Sequence, residues 1–269
     1  MPLKNAQAVL KRLLPSDSYN SLYNKACNAY DVYVHIADWI WYRTPSTNQD
    51  ISAIKTILKN ISPYTMTSRE GLIYTLVTTQ GAIKENINGA FVECGVARGG
   101  ISAMMAMMAE EEGKGRMTWL FDSFEGLPEQ TEEDGIQKPV RHWDRKANDL
   151  AEGYCLGTWY DVSTTMFTVF HLSREVVELV KGWFQDTLPV YKNKIGDMAV
   201  LRLDGDWYES TKCCLENLYD NVVQGGFVII DDYQLPGCKK AVDEYLHKRQ
   251  EAPRMDFDAN GRAYWRKNV

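Results

Sequence analysis

The sequence lacks the segments that would direct a chain into a membrane or out of the cell. No apolar run approaches the roughly 20 residues that a membrane-spanning helix needs. The N-terminus has no signal-peptide core, because Lys11 and Arg12 interrupt its apolar residues. No basic stripe stands out, and the formal net charge of -6 argues against a nucleic-acid partner. These absences predict a cytoplasmic protein that binds neither membranes nor nucleic acids.

Motifs for disulfides, zinc and phosphate groups are also missing. The six cysteines form no C-x-x-C pair and mostly lie in apolar contexts, so we interpret them as reduced, small hydrophobic residues. None of the four histidines forms a pair with zinc-site spacing. Neither G-x-G-x-x-G nor a P-loop follows a predicted strand, which excludes the usual pyrophosphate- and phosphate-binding loops.

The sequence does contain short apolar runs that alternate with helical patterns, as in sheets of parallel strands covered on both faces. Near the end, Asn260-Gly261 separates two short runs and is a strong hairpin signal. We therefore predict an α/β sheet that ends in an antiparallel hairpin. The predicted strands are FVECGV (91–96), MTWLFDSF (117–124), VVELVKGWF (176–184), 197–206 and 225–233.

Two helix boundaries are predicted from serine caps. Ser68 is expected to cap a helix over residues 69–86, since a serine hydroxyl can accept from a free N–H of the first turn. Ser210 is expected to cap a helix through Val223, which Gly225 and Gly226 would end before the next strand.

We predict a helical N-terminal appendage over residues 1–49 and a main domain over 50–269. The aromatic residues of 19–41 recur at helical spacing. Their face either packs on the main domain, or covers the active site or a subunit contact, so a homo-oligomer is one hypothesis. Within the main domain, the polar segment at about 129–160 is long for a loop, and we expect a lid or substrate-binding insertion there.

Four carboxylates follow two of the apolar runs directly. Asp204 and Asp206 end the run AVLRLDGD, and Asp231 and Asp232 end GGFVIIDDY. The carboxyl ends of parallel strands meet at one edge of a sheet, so these acids would repel one another without a positive partner. A divalent cation with oxygen ligands suits them. The alternative is that they are ordinary turn and cap residues, but their pairing on two strands favours a site.

The loop after the first predicted strand points to a nucleotide-like ligand. It reads E-C-G-V-A-R-G-G from Glu93 to Gly100 and leads into a helix, an arrangement that cradles such ligands. Asp122, at the end of the second strand, is placed to accept hydrogen bonds from a ribose diol. An acid near a glycine loop without a phosphate motif suits a ligand with a cationic end, such as S-adenosylmethionine.

The sequence resembles the macrocin O-methyltransferase family, metal-dependent sugar O-methyltransferases of macrolide and aminocoumarin antibiotic biosynthesis. The resemblance covers roughly residues 65–245. It implies a class I S-adenosylmethionine-dependent methyltransferase with a Rossmann-like, seven-stranded sheet of order 3-2-1-4-5-7-6. Five ordered blocks carry it: FVECGVARGG, FDSFEGLP, GWFQDTLP, LRLDGDWYEST and GGFVIIDDY.

The same resemblance implies which residues form the site. Asp204, Asp231 and Asp232 match the family's metal ligands, which usually hold magnesium, and Asp204 or the lid residue His142 would act as the base. His142 is equally well explained as an exposed lid residue, because it does not align securely with the family's lid histidine. The implied cofactor residues are Glu93 and Gly95 at the methionine end, Thr67 and Ser68 at the carboxylate, Asp122 and Ser123 at the ribose, and Trp183, Phe184 and Asp186 near the adenine.

Together these features predict a Mg²⁺-dependent enzyme that methylates a hydroxyl of a sugar, in a glycosylated natural product or a nucleotide sugar. A catechol-type O-methyltransferase acting on an aromatic diol is an alternative with the same metal chemistry. An NAD-dependent oxidoreductase fits the strand–glycine–helix unit and Asp122, but it lacks the pyrophosphate loop. A non-catalytic sugar- or partner-binding module is a third alternative, although it would have no use for a charge-repelling acidic cluster.

Overall fold

The computed structural model describes residues 48–135 and 153–267, together with 33, 36–38, 40–44 and 46. The chain divides into two compact units, and the larger one comprises Asp50–Ile136 and Ala151–Val269. Most of the predicted appendage, and His142 in the predicted lid, lie outside the described residues, so the predicted domain boundaries stay predictions. None of the described helices combines the length and apolar character needed to cross a membrane.

Strands and helices alternate along the larger unit. The strands are β1 Ala90–Cys94, β2 Thr118–Asp122, β3 Val177–Lys181, β4 Met198–Leu203, β5 Val222–Ile230, β6 Asp256–Phe257 and β7 Ala263–Arg266. The helices are α1 Gln49–Ile61, α2 Arg69–Lys84, α3 Gly100–Glu112, α4 Trp159–Thr164, α5 Phe184–Ile195, α6 Tyr208–Leu218 and α7 Pro236–Lys248.

All seven strands belong to one sheet, in the order β3-β2-β1-β4-β5-β7-β6. The first five strands are parallel, and β7 runs antiparallel to both of its neighbours. This is the strand order that the family resemblance implies, and the predicted hairpin is present, with its turn around Gly261 at φ +86°. The predicted fold class is therefore confirmed.

The sheet is covered on both faces, which explains why its central strands do not alternate between apolar and polar residues. Every residue of β1 and of β4 is buried. Val92 and Leu201 contribute to the core shared with α5, α6 and α7. Because successive side chains of a strand point to opposite faces, Glu93 and Arg202 point to the other face, where α2 and α3 pack.

The two serine caps have opposite outcomes. Ser68 caps α2, its hydroxyl accepting from the N–H of Gly71 at 3.5 Å. The prediction for Ser210 is wrong: α6 begins at Tyr208 and ends at Leu218, so Ser210 lies in its first turn.

The start of α6 was predicted wrongly because the residue that caps it is distant in the sequence. The Tyr208 N–H donates to Oδ1 of Asp134, 74 residues away, at 2.7 Å, and no local pattern reveals such a cap. The predicted stop at Gly225 and Gly226 is also wrong, because both glycines lie inside β5. The strand already begins at Val222, which pairs with Met198 across an irregularity in the register with β4.

Candidate active site

The site begins just beyond the ends of β1 and β4, where the backbones of Gly95 and Asp204 lie close together. Gly95 has a φ of +88°, and a Cβ at this position would lie 1.8 Å from the carbonyl oxygen of Asp204. The Asp204 N–H donates to the carbonyl of Cys94 at 2.8 Å. Only glycine fits here, so Gly95 is required for packing as well as for the predicted cofactor loop.

Asp122 organises the loop that follows β1. Its Oδ2 accepts from the N–H groups of Val96 and Ala97 at 2.7 and 3.2 Å, and its Oδ1 accepts from Phe124 at 2.7 Å. Burial raises the pKa of Asp122, although these backbone donors oppose the rise. The carboxylate therefore lies beside the glycine loop, where a ribose diol was predicted, and it also fixes the shape of that loop.

Ser123 orders the turn after β2. Its hydroxyl donates to the carbonyl of Gly126 at 3.1 Å and accepts from the N–H of Glu125 at 3.1 Å. The predicted ribose contact of Ser123 stays a prediction, since the hydroxyl already serves this turn.

The residues predicted for the adenine begin α5. Trp183 and Phe184 are half-buried and Asp186 is exposed. The ring of Phe184 lies against Gly205, because a Cβ there would be 3.3 Å from its Cε2 atom. Phe184 thus lies next to the acidic edge of the sheet, and the contact of Trp183 and Phe184 with an adenine stays a prediction.

Thr67 and Ser68, predicted for the cofactor carboxylate, connect to two buried arginines. The Thr67 hydroxyl accepts from Nη2 of Arg202 at 3.4 Å. The Ser68 hydroxyl accepts from Nη1 of Arg262 at 3.2 Å and from the Asn260 amide at 3.1 Å. The hairpin between β6 and β7 therefore reaches the start of α2, a contact that the sequence did not reveal.

Three carboxylates converge beyond the ends of β4 and β5. Ligand oxygens of Asp204, Asp206 and Asp232 all lie within 4.8 Å of one another. Asp231 is not in this group: its Oδ1 accepts from Nη2 of Arg202 at 2.5 Å and from Nε of Arg262 at 2.9 Å. The set predicted from the resemblance therefore shares Asp204 and Asp232 with the geometric set, and Asp206 lies where Asp231 was expected.

The carboxylates of this cluster are buried close to one another, and this shifts their pKa values. Burial and the neighbouring carboxylates raise the pKa of Asp206 and of Asp232 well above their ordinary values. Burial and the charge of Asp231 also raise the pKa of Asp204, with Arg202 opposing them. Burial would raise the pKa of Asp231 too, but Arg202 and Arg262 outweigh it and lower that pKa. Although Arg202 contacts Asp204, burial and mutual repulsion still disfavour the charged form of all three carboxylates, and their oxygen-only donor set fits a hard divalent cation.

Asp206 lies in a strained turn. Its φ is +55°, and the N–H of Trp207 donates to the carbonyl of Gly205 at 2.5 Å. Left-handed backbone at a residue other than glycine is uncommon and is often found at functional sites. The N–H of Asp206 also donates to Oδ2 of Asp232 at 3.3 Å, which joins the ends of β4 and β5.

The start of the predicted lid and the two residues before it hold this turn in place. Trp207 Nε1 donates to the carbonyl of Pro128 at 3.0 Å, and the fully buried Asp134 caps α6 through Tyr208. Leu127 exchanges backbone hydrogen bonds with Gly153 and Tyr154 at 2.9 and 2.8 Å. Both described ends of the segment therefore meet beside the site, while its assignment as a lid and the role of His142 stay predictions.

A buried ion pair joins the cofactor side of the site to the acidic side. Arg202 is fully buried, and its Nη1 donates to Oε1 of Glu93 at 2.6 Å and to Oδ2 of Asp204 at 2.7 Å. Ser102 donates to the other oxygen of Glu93. Burial raises the pKa of Glu93 to about 7, although Arg202 opposes the rise. Sequence reasoning missed Arg202, and the available signal was a single arginine between two leucines of a buried strand.

The strand order, the glycine loop after β1, the acid at the end of β2 and the carboxylates beyond β4 and β5 together define a class I S-adenosylmethionine-dependent O-methyltransferase. The chain matches the family model described as macrocin-O-methyltransferase (TylF) over residues 55–267 and belongs to this family. Family membership identifies the protein as a methyltransferase and not as an NAD-dependent oxidoreductase.

Similar proteins agree with this assignment. The chain is 39% identical, over 191 residues and 70% of each chain, to a demethyldecarbamoylnovobiocin O-methyltransferase of Streptomyces niveus. It is 34% identical to a 4'-O-methyltransferase of Streptomyces olivaceus that acts on a dimethoxyrhamnosyl tetracenomycin, over 76% of this chain and 75% of that one. Among solved structures, the O-methyltransferase NovP is similar at 34% identity and a TM-score of 0.65, covering 77% of this chain and 83% of that one.

Proposed function

We propose that this enzyme methylates a hydroxyl group of a sugar carried by a natural product, and that it uses a divalent cation such as Mg²⁺. The carboxylate cluster of Asp204, Asp206 and Asp232 next to the cofactor loop is the observation that carries this proposal. The relatives support the acceptor class, since their names describe methylation of novobiocin-, tetracenomycin- and mycinamicin-type antibiotics. The sugar hydroxyl of a nucleotide sugar is a second candidate acceptor for the same methyl transfer.

The cofactor would be held by residues from three strand ends. Glu93 would accept from the amino group of S-adenosylmethionine, Asp122 would accept from the ribose, and Trp183 and Phe184 would flank the adenine. Thr67 and Ser68 would lie near the cofactor carboxylate. Because the sulfonium already activates the methyl group, the main task of these residues is to position it in line with the acceptor oxygen.

The cation would be held by Asp204 and Asp232, which belong to both candidate sets. Asp206 and Asp231 compete for the third position: Asp206 lies within the cluster, whereas Asp231 is held by two arginines. When bound here, a divalent cation supplies Lewis-acid chemistry that makes a sugar hydroxyl easier to deprotonate.

The acceptor proton needs a carboxylate or imidazole base. Asp204 and His142 are the predicted bases. The structure adds Asp206, because its carboxylate lies in the same cluster as Asp204 and Asp232. Substituting each of Asp204, Asp206 and Asp231 by Asn would separate base from ligand: loss of a ligand weakens cation binding, whereas loss of the base lowers turnover alone.

Calorimetric titration with S-adenosylhomocysteine, with NAD as the control ligand, tests the cofactor assignment. We expect micromolar binding of the former and none of NAD. Turnover would then be measured with Mg²⁺ or with chelator on glycosides and on catechols. Methylation of glycosides only with the cation supports the proposal. Methylation of catechols alone would favour the aromatic-diol alternative, and full activity in chelator would exclude the cation.

A further inference from the structure

Arg202 lies between Glu93 and Asp204, and it has no role in the proposed mechanism. It lies in β4 directly opposite Glu93 of β1, since the two residues are Cα partners in the sheet register. Its side chain is fully buried and points to the face that carries α3. The Nη1 atom bridges two carboxylates, Glu93 at 2.6 Å and Asp204 at 2.7 Å.

The other side of the guanidinium faces the remaining acid of this edge. Nη2 donates to Oδ1 of Asp231 at 2.5 Å and to the hydroxyl of Thr67 at 3.4 Å. Nε is buried and has no hydrogen-bond partner among the described residues. The charge of Arg202 is therefore shared among three carboxylates, one on the cofactor side and two on the acidic side.

We propose that Arg202 is a positioning residue that sets which carboxylates of the site are available to the cofactor and which to the divalent cation. It holds Glu93 in place for the amino group of the cofactor, and it competes with the divalent cation for Asp204 and Asp231. This inference rests on the proposed function, because it assigns the cofactor to Glu93 and the cation to the acidic edge.

Removing the arginine should therefore move the two affinities in opposite directions. Without Arg202, Glu93 would be a buried carboxylate with no cationic partner, which a folded protein tolerates poorly, so it would no longer be held for the cofactor. The same change frees Oδ2 of Asp204 and removes a fixed positive charge that repels an incoming cation. Asp231 keeps Arg262 as a partner, so Asp204 accounts for most of the gain.

A purely structural role would give a different pattern. Loosening the edge of the sheet would disorder both halves of the site and would weaken both ligands together. Opposite changes in the affinities for S-adenosylhomocysteine and for Mg²⁺ would therefore distinguish the proposed role of Arg202 from a general loss of structure.

Arg116 offers a matched control. It is also largely buried, and it donates to Glu112 and to the backbone carbonyls of Ile87 and Gly89. It lies two residues before β2, at the opposite end of the sheet from the acids. The Arg116→Met variant therefore loses a buried arginine and its stabilising contacts without touching the proposed site.

The experiment is calorimetric titration of the full chain with S-adenosylhomocysteine and, separately, with Mg²⁺. In Arg202→Met we expect S-adenosylhomocysteine to bind about 10- to 100-fold more weakly, the loss of one charge-assisted hydrogen bond, and Mg²⁺ to bind more tightly. In Arg116→Met both dissociation constants should match the wild type. Weakening of both ligands in Arg202→Met, or no change in either, would overturn the proposal.

Arg202→Lys provides the test if the methionine variant does not fold. Lysine keeps one positive charge but cannot bridge three carboxylates as a planar fork does. We expect Mg²⁺ affinity as in the wild type and weaker S-adenosylhomocysteine binding than in Arg116→Met. If Arg202→Lys binds both S-adenosylhomocysteine and Mg²⁺ more weakly, the proposed role of Arg202 is refuted. Failure of the wild type to bind either ligand would instead refute the proposed function.

Discussion

Substitution of Glu93 by Gln should remove a defined part of the pH dependence of stability. Burial raises the pKa of Glu93 from 4.5 to about 7 in the folded protein. At 1.36 kcal/mol per pKa unit, the shift corresponds to about 3 kcal/mol. This is a large fraction of the roughly 5–15 kcal/mol by which a typical domain is stable.

The sign follows from the protonation states. Below pH 4.5 Glu93 is protonated in both the folded and the unfolded chain, so its ionisation does not oppose folding. Between pH 4.5 and 7 the unfolded chain ionises first, and folding becomes steadily less favourable. Above pH 7 the full cost of about 3 kcal/mol is present in the wild type and absent in Glu93→Gln.

Denaturant unfolding of wild type and Glu93→Gln from pH 4.5 to 8 measures this effect. The free energy of unfolding of the variant, relative to the wild type, should rise by about 3 kcal/mol across that range. The ion pair with Arg202 is already included in the pKa of about 7, so it adds no further change with pH. A difference that stays constant from pH 4.5 to 8 would refute the burial argument.

Glu85→Gln is the matched control with the opposite sign. Glu85 is exposed and pairs with Arg266, which lowers its pKa. Its contribution to stability is present above pH 4.5 and is lost as the pH falls. The variant should therefore show no gain in relative stability between pH 4.5 and 8.

Three further predictions follow from the site. Because an ionised Glu93 is needed for the cofactor amino group, S-adenosylhomocysteine should bind more tightly at pH 8 than at pH 6, and calorimetry showing equal affinity would contradict that role. Gly95→Ala should prevent folding or lower the melting temperature sharply, because its Cβ would overlap the Asp204 carbonyl. Gly113→Ala, with a similar positive φ and open space around it, should lose only about 1–2 kcal/mol, and equal melting temperatures would refute the steric argument. Asp122→Ala should weaken cofactor binding by about 1.5–3 kcal/mol, and an unchanged dissociation constant would remove Asp122 from the ribose site.

The fold could be predicted largely because its signals are local. The apolar runs of β1 and β4 and the Asn260-Gly261 turn mark strands and a hairpin, and the ordered family blocks supply the strand order. The boundaries of α6 and β5 could not be predicted, since Asp134 caps α6 from a distant segment and β5 starts before its two glycines.

The acidic edge could be located from the sequence, but its internal pairing could not. Consecutive residues at a strand end point in different directions, so Asp231 turns toward the arginines and Asp232 toward Asp204 and Asp206. The pairing of Glu93 with Arg202 depends on the register between β1 and β4, which no single strand specifies. A lone arginine in a fully buried strand was the one hint, because a buried charge needs a partner.

Binding of Mg²⁺ by wild type and by Asp204→Asn, measured calorimetrically with S-adenosylhomocysteine present, tests the central claim most directly. Asp243→Asn, at an exposed carboxylate paired with Lys239, serves as the control. We predict that wild type and Asp243→Asn bind Mg²⁺, that Asp204→Asn does not, and that all three bind S-adenosylhomocysteine with nearly equal affinity. Unchanged Mg²⁺ binding in Asp204→Asn would contradict this prediction.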